Sequence, residues 1–192
     1  MNITTLPLGM LQTNCYIIEN EGRCLIIDPG DEAEKLEAYL QERGLTPEAI
    51  LLTHGHFDHV GAVKTLAADT DCRVFLCEND LALPKVMTRD LLHYTDAFTH
   101  GQELTLAGLT FTVHHTPGHT PGSVCLRFGD ILFTGDTLFA GSIGRTDFPC
   151  GSNREMMDSL DYLKTLEDHL TVYPGHGPST TMGREKQYNP YL

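Results

Sequence analysis

Apolar residues along this chain switch between two spacings, and the switches mark out strands and helices. Cys15–Glu19 and Cys24–Ile27 are short apolar runs joined by Asn20-Glu21-Gly22-Arg23, which predicts two neighbouring strands. Asp28-Pro29-Gly30 ends the second. Over 32–43 the positions Ala33, Leu36, Tyr39 and Leu40 share one helical face, and Gly44 is the stop signal. Ile50-Leu51-Leu52 reads as a buried strand. A helix over 59–68 would turn Val60, Val63, Leu66 and Ala67 inward. The strand Val74–Leu76 follows, then a helix over 79–87 and a loop. From 103 the spacing becomes that of strands: Glu103–Leu106, Leu109–His114, Ser123–Arg127 and Asp130–Phe133. A last helix, 153–168, opens on Ser152 and Glu155 at capping-box spacing and buries Met156, Leu160, Leu163 and Leu166. The strand Leu170–Tyr173 leads into a tail rich in Gly and Pro. Strands in two clusters among helices predict an α/β (α+β) chain, with two sheets packed face to face and helices outside.

Composition narrows the class. A chain of 192 residues with 41% apolar and 20% charged residues suits one globular domain, taken here as 1–192. No stretch approaches the ~20 unbroken apolar residues of a membrane span. The start, Met1-Asn2-Ile3-Thr4-Thr5-Leu6, lacks the basic and apolar regions of a secretory signal, so a cytoplasmic location is expected. Thirteen basic against twenty-six acidic residues give a net charge of −13. That balance argues against nucleic acid and against an anionic membrane as partner. The six cysteines form no CxxC pair and mostly lie in apolar runs, as core thiols of a reducing compartment do.

The chemistry gathers where apolar runs end. Four of them stop in turns that carry His or Asp: His54-Gly55-His56-Phe57-Asp58-His59, Thr116-Pro117-Gly118-His119, Gly135-Asp136, and Pro174-Gly175-His176. Loops at strand ends are where a rigid scaffold presents functional groups. Imidazole nitrogen and carboxylate oxygen suit Zn²⁺, with Fe and Mn tolerated. His54 and His56, two apart in extended chain, can face one side. Asp58 and His59 would then open a helix. Seven such groups exceed the roughly three protein ligands of one catalytic ion. They suffice for two divalent ions ~3.5–4 Å apart if a carboxylate bridges, and Asp136 is the acid placed for that. His93, His100 and His169 read as structural or surface residues. His114 and His115, at the end of a strand, read as wall or supporting groups.

These turns, together with Thr13-Asn14-Cys15-Tyr16, Gly135-Asp136-Thr137-Leu138-Phe139 and Tyr173-Pro174-Gly175-His176-Gly177, resemble the metallo-β-lactamase superfamily, glyoxalase II branch. The resemblance implies an αββα sandwich of two mixed β-sheets flanked by helices, with metals at one sheet edge. It implies that His54, His56 and His119 hold one metal, that Asp58, His59 and His176 hold the other, and that Asp136 bridges. Asp28 matches a supporting acid of the family. A Cys ligand expected of the best-known lactamase subclass is absent at 136, which argues against a true β-lactamase.

The implied reaction is hydrolysis of a small-molecule thioester, S-D-lactoylglutathione or a similar 2-hydroxyacyl thioester, by a metal-bridging hydroxide, with Asp58 or Asp136 as the catalytic carboxylate. The chain runs sixteen residues past His176, so a short form without the helical C-terminal domain of glyoxalase II is expected. Arg145 and Lys186, the latter in Arg184-Glu185-Lys186, are then the candidates to bind a substrate carboxylate. Gly144-Arg145-Thr146-Asp147-Phe148 also resembles the persulfide dioxygenases, mononuclear iron enzymes of the same fold. Another ester or lactone hydrolase, and a metal-binding sensor, are the further alternatives.

Overall fold

The computed structural model describes residues 1–192. One six-stranded sheet runs in the order β1 (Asn2–Leu8), β2 (Thr13–Asn20), β3 (Arg23–Ile27), β4 (Thr46–Leu51), β5 (Arg73–Leu76) and β6 (Asp96–Ala97). The second contains β7 (Glu103–Leu106), β8 (Leu109–His115), β9 (Val124–Phe128), β10 (Ile131–Gly135), β13 (Thr171–Pro174) and β14 (Thr180–Thr181), in the order β14-β13-β10-β9-β8-β7. A small hairpin, β11 (Leu138–Phe139) with β12 (Ser142–Ile143), leaves the second sheet after β10. Both main sheets mix parallel and antiparallel pairs.

Three layers of core make this a sandwich. Alternate residues of β2, such as Tyr16 and Ile18, meet Phe111, Val113, Leu126 and Phe133 of the other sheet in the central layer. Their neighbours Cys15 and Ile17 face outward, under α1 (Ala33–Arg43) and α3 (Val63–Thr70), which contribute Leu36, Leu40, Val63 and Leu66. On the far side, α5 (Asn153–Leu163) and α6 (Met182–Tyr188) cover Cys125, Leu132 and Val172 with Met156, Leu160, Leu163 and Met182. Strands covered on both faces need continuous apolar runs, which is the pattern β2, β3 and β10 carry. The αββα order expected from the sequence is the observed one.

Several elements differ from their sequence reading. The helix expected over 59–68 is two pieces, α2 (Phe57–Val60) and α3. The break falls at Gly61, which packs so close to the Gly30 carbonyl that a Cβ would lie 2.1 Å from its oxygen. The helix expected over 79–87 is a 3-10 turn, 78–82, followed by α4 (Lys85–Thr88), because Pro84 divides them. The last long helix stops at Leu163 rather than 168. Strand β4 starts at Thr46, where Pro47 coincides with a shift in its register against β3. Strand β1, the small strands and α6 carry too few apolar positions to stand out in the sequence; β1 is a half-exposed edge strand. No helix is long and apolar enough to cross a membrane. Five cysteines are buried, and Cys150 is exposed.

Candidate metal centre

Sheet direction explains why distant residues meet. β8 and β10 are each antiparallel to β9, and β10 is parallel to β13. The C-terminal ends of β8, β10 and β13 therefore lie at one edge and deliver His119, Asp136 and His176 to it. β4 of the other sheet ends at the same place with His54–His59. The loops are tied together by backbone bonds from Val124 N to Thr53 O (2.9 Å), Gly175 N to Gly135 O (2.8 Å) and Asn14 N to Gly175 O (2.8 Å).

All seven sequence-derived donors come together. His54, His56 and His119 have ligand atoms within 4.8 Å of one another, and so do Asp58, His59 and His176. Asp136 stands between the two groups. Its Oδ1 is 3.4 Å from His59 Nε2, and its Oδ2 is 3.5 Å from His119 Nε2 and 3.6 Å from His176 Nε2. Asp58 Oδ2 lies 3.3 Å from His176 Nε2 and 3.6 Å from His59 Nε2. Donors ~2.0–2.1 Å from one tetrahedral ion stand roughly 3.3–3.4 Å apart. The observed spacings are of that size. Asp28 also falls near His54 and His59, but three donors already occupy its oxygens. Oδ1 accepts from Thr53 N (2.8 Å), and Oδ2 accepts from the Thr53 hydroxyl (2.6 Å) and from His59 Nδ1 (2.9 Å).

Those bonds orient the candidate donors. His59 donates from Nδ1 to Asp28, so its Nε2 lone pair faces the centre. The Thr53 hydroxyl gives its proton to Asp28 and so accepts from His54 Nδ1 at 3.1 Å, which leaves His54 Nε2 free. His119 donates from Nδ1 to the Arg145 carbonyl at 2.7 Å, and its Nε2 faces His56 Nδ1 at 2.9 Å. The Thr13 hydroxyl holds Asp58 Oδ2 at 3.0 Å. Asn14 Nδ2 and the Tyr16 hydroxyl both donate to the Pro174 carbonyl and fix the turn of His176.

A fit to metal can be judged from what these contacts leave over. His54 Nε2, His59 Nε2 and Asp136 Oδ1 are buried and have no hydrogen-bond partner. Buried polar atoms are rarely left so, and three at one point mark a place for a cation. The charge balance agrees. Burial alone would lower the His59 pKa, but Asp136, Asp28 and Asp58 outweigh it and carry it up to about 10. Burial likewise opposes charge on His176, yet Asp58 and Asp136 raise it. Asp58 would be pushed up by burial, but His176, His59 and Thr13 hold it well below the usual carboxylate range. His54 and His56 are buried among other imidazoles and are driven down, His56 to about 3, so they stay neutral donors. The acids demand positive charge here, and protons supply it when metal does not.

A cavity of about 350 Å³ lies over these donors, walled by Leu11, Phe57, Met87 and Phe148. Arg145, the expected carboxylate binder, is exposed beside it. Its guanidinium makes two 2.8 Å bonds to Asp147 and lies 4.1 Å from the Phe148 ring centroid. Lys186 is not among the cavity residues; on α6 it donates to the Leu166 carbonyl and to Asp168. His114 and His115 point elsewhere, His114 to the Tyr162 hydroxyl (2.6 Å) and His115 to the Pro121 carbonyl (2.8 Å).

Sequence reading missed Asp80. It is fully buried and accepts from Gly55 N (2.7 Å), Gly122 N (2.6 Å) and the Thr120 hydroxyl (3.0 Å), so it fastens the His54–His56 loop to the His119 loop. Burial pushes its carboxyl up to about 6, with those three donors pulling the other way. Within Glu78-Asn79-Asp80 it looks like any surface acid, and only its tertiary contacts distinguish it.

Comparison with known proteins agrees with this geometry. Residues 8–176 match the metallo-beta-lactamase superfamily domain. The hydroxyacylglutathione hydrolase GloC of Haemophilus influenzae is 40% identical, across all of this chain and 98% of that one. Among solved structures, TTHA1623 in a di-iron-bound form is 41% identical with a TM-score of 0.90, covering 98% of this chain and all of that one. BLEG-1, described as a B3 metallo-beta-lactamase, is 38% identical with a TM-score of 0.91 over 100% and 99% of the two chains. ETHE1 from Myxococcus xanthus is 32% identical with a TM-score of 0.86 over 99% and 84%. Matched by the family model over residues 8–176 and 40% identical to GloC along its whole length, the chain belongs to the metallo-beta-lactamase superfamily.

Proposed function

We propose that this protein hydrolyses a small-molecule thioester, with S-D-lactoylglutathione or a similar 2-hydroxyacyl thioester as substrate. The observation that carries the reading is the seven-donor cradle under an apolar-walled cavity that presents no Ser, Thr or Cys nucleophile. Two divalent ions, with zinc the ion this donor set suits, would be held by His54, His56 and His119 and by Asp58, His59 and His176, with Asp136 between them. Such ions supply Lewis-acid polarisation of a carbonyl and a water that ionises near neutral pH.

The chain's own residues do the rest. Asp58, held at Oδ2 by the Thr13 hydroxyl at 3.0 Å, would orient the attacking water through its carboxylate. Phe57, Met87, Leu11 and Phe148 keep bulk solvent from the carbonyl. A thiol of pKa ~8.5 leaves as thiolate, so no general acid is needed at the sulfur. Arg145, on the rim beside Phe148, is the candidate to meet a substrate carboxylate. Lys186 sits on α6 away from the residues that line the cavity, so it is not placed to meet substrate there. Similarity to GloC supports the glutathione thioester over other esters.

A second reading, a mononuclear iron persulfide dioxygenase, is favoured by the likeness to ETHE1 and by Gly144-Arg145-Thr146-Asp147-Phe148. One panel separates them: purified protein of measured metal content, assayed with glutathione thioesters, other acyl thioesters, lactones, a β-lactam and glutathione persulfide. Two metals per chain, chelator-sensitive thioester turnover and no oxygen uptake support the hydrolase. Oxygen consumption with persulfide and no thioester turnover would replace it by the dioxygenase. Metal binding without turnover of any of these would make the protein a sensor.

A further inference from the structure

Two cation–aromatic stacks flank the metal centre. On one side Arg145 covers Phe148; on the other, the Arg89 guanidinium lies 3.7 Å from the Phe57 ring centroid. Both phenylalanines wall the cavity over the metal ligands. Past Phe57 that cavity continues into a groove of about 380 Å³, and Leu11, Phe57 and Asp58 border both spaces. The groove therefore begins beside Asp58, and Arg145 is not among the residues that line it. Leu8, Met10, Leu11 and Leu91 supply its apolar surface.

Its charges are unusual. Arg89 makes no ion pair; the neighbouring Asp90 is taken by Lys85 at 3.0 Å. Asp31, also in the groove, accepts only the Glu32 backbone N–H, and the nearby Lys35 is taken by Glu32 at 3.0 Å. One free cation and one free anion thus share a groove without meeting each other. Met10 is 97% exposed and Leu11 54%, although their loop is fixed by bonds from Gly9 N to Glu32 and from Gln12 Nε2 to the Gly9 carbonyl. A held loop that offers apolar side chains beside two uncompensated charges suits a ligand bearing both signs on a short carbon chain.

We propose that this groove binds the zwitterionic α-amino-acid head of a peptide thiol, the γ-glutamyl end of glutathione, with Arg89 on its carboxylate and Asp31 on its ammonium. The inference rests on the glutathione-thioester reading above. In that tripeptide the acylated cysteine lies in the middle, so a thioester seated at the metal centre sends one arm to each side. The glycine carboxylate then falls on the Arg145 side and needs a cation alone. The γ-glutamyl head falls in the groove and needs an acid and a base. The aliphatic part of the γ-glutamyl arm lies along Met10 and Leu11.

The test uses one acyl group on three thiols: glutathione, γ-glutamylcysteine and cysteinylglycine. In the wild-type, metal-loaded enzyme, KM for the two γ-glutamyl thioesters is expected about tenfold below that for the cysteinylglycine thioester. Arg89→Gln and Asp31→Asn should each shrink that ratio to within about twofold. A wild-type enzyme that makes no such distinction, or variants that keep the full ratio, would overturn the assignment. If the wild type hydrolyses none of the three, the hydrolase reading has failed, and the groove is judged by calorimetric titration with S-methylglutathione, an unreactive thioether. Binding weakened about tenfold by Arg89→Gln would uphold the groove assignment. No binding, or binding indifferent to Arg89, would end it.

Discussion

Gly175 offers a clean perturbation of the metal centre. Its φ is not left-handed, so alanine brings no backbone strain. A Cβ there would sit 2.2 Å from Asp136 Oδ1 and 2.8 Å from His59 Cε1. Carbon and oxygen ordinarily approach to about 3.3 Å, so Asp136 must retreat by about 1 Å. His59 cannot share the displacement, since Asp28 fixes its ring at 2.9 Å. Metal ligands tolerate only about 0.2 Å of misplacement. Gly175→Ala should therefore bind less than two metal ions per chain, and its turnover should fall by about 10²-fold or more. Elemental analysis after dialysis, with steady-state rates at saturating metal, measures both. A variant with two bound ions and wild-type rates would show that Asp136 is not a ligand.

Three further outcomes are expected. Asp136→Ala should lose both metals or nearly all activity, while His93→Ala should change little; elemental analysis and turnover of the pair check this. Asp28→Asn disturbs the bonds that fix His59 and Thr53 and should weaken metal affinity by about 10–100-fold in a competitive chelator titration; unchanged affinity would contradict the aiming role given to Asp28. Asp80, raised to about 6 in the folded protein, binds its proton more tightly there than when unfolded. Its contribution to stability is therefore full below about pH 4 and is lost as pH rises through about 6, a change of about 3 kcal/mol. Asp80→Asn cannot titrate, so denaturant unfolding should show the variant gaining on wild type by about that amount between pH 4 and 7.5. A pH-independent difference would refute it.

How much was legible beforehand depended on whether a signal was local. Buried strands β2, β3 and β10 declare themselves as apolar runs, because a strand covered on both faces has no polar side to show. The ends of β4, β8, β10 and β13 were visible as turns carrying His or Asp, so the candidate donors could be named from residue chemistry and motif. Edge strand β1, the short α6 and the breaks at Gly61 and Pro84 were not, since each depends on what packs against it. The convergence itself is tertiary: only the parallel sense of β8, β10 and β13 brings His119, Asp136 and His176 to one edge. The same holds for Asp80, an ordinary surface acid by sequence, and for Lys186, which the fold leaves outside the cavity lining. The groove between Arg89 and Asp31 joins residues far apart in the chain. The chain alone thus determined which side chains are the candidates to hold metal. The packing of two sheets decided which atoms face one another, because hydrogen bonds and ion pairs depend on distances that sequence order does not contain.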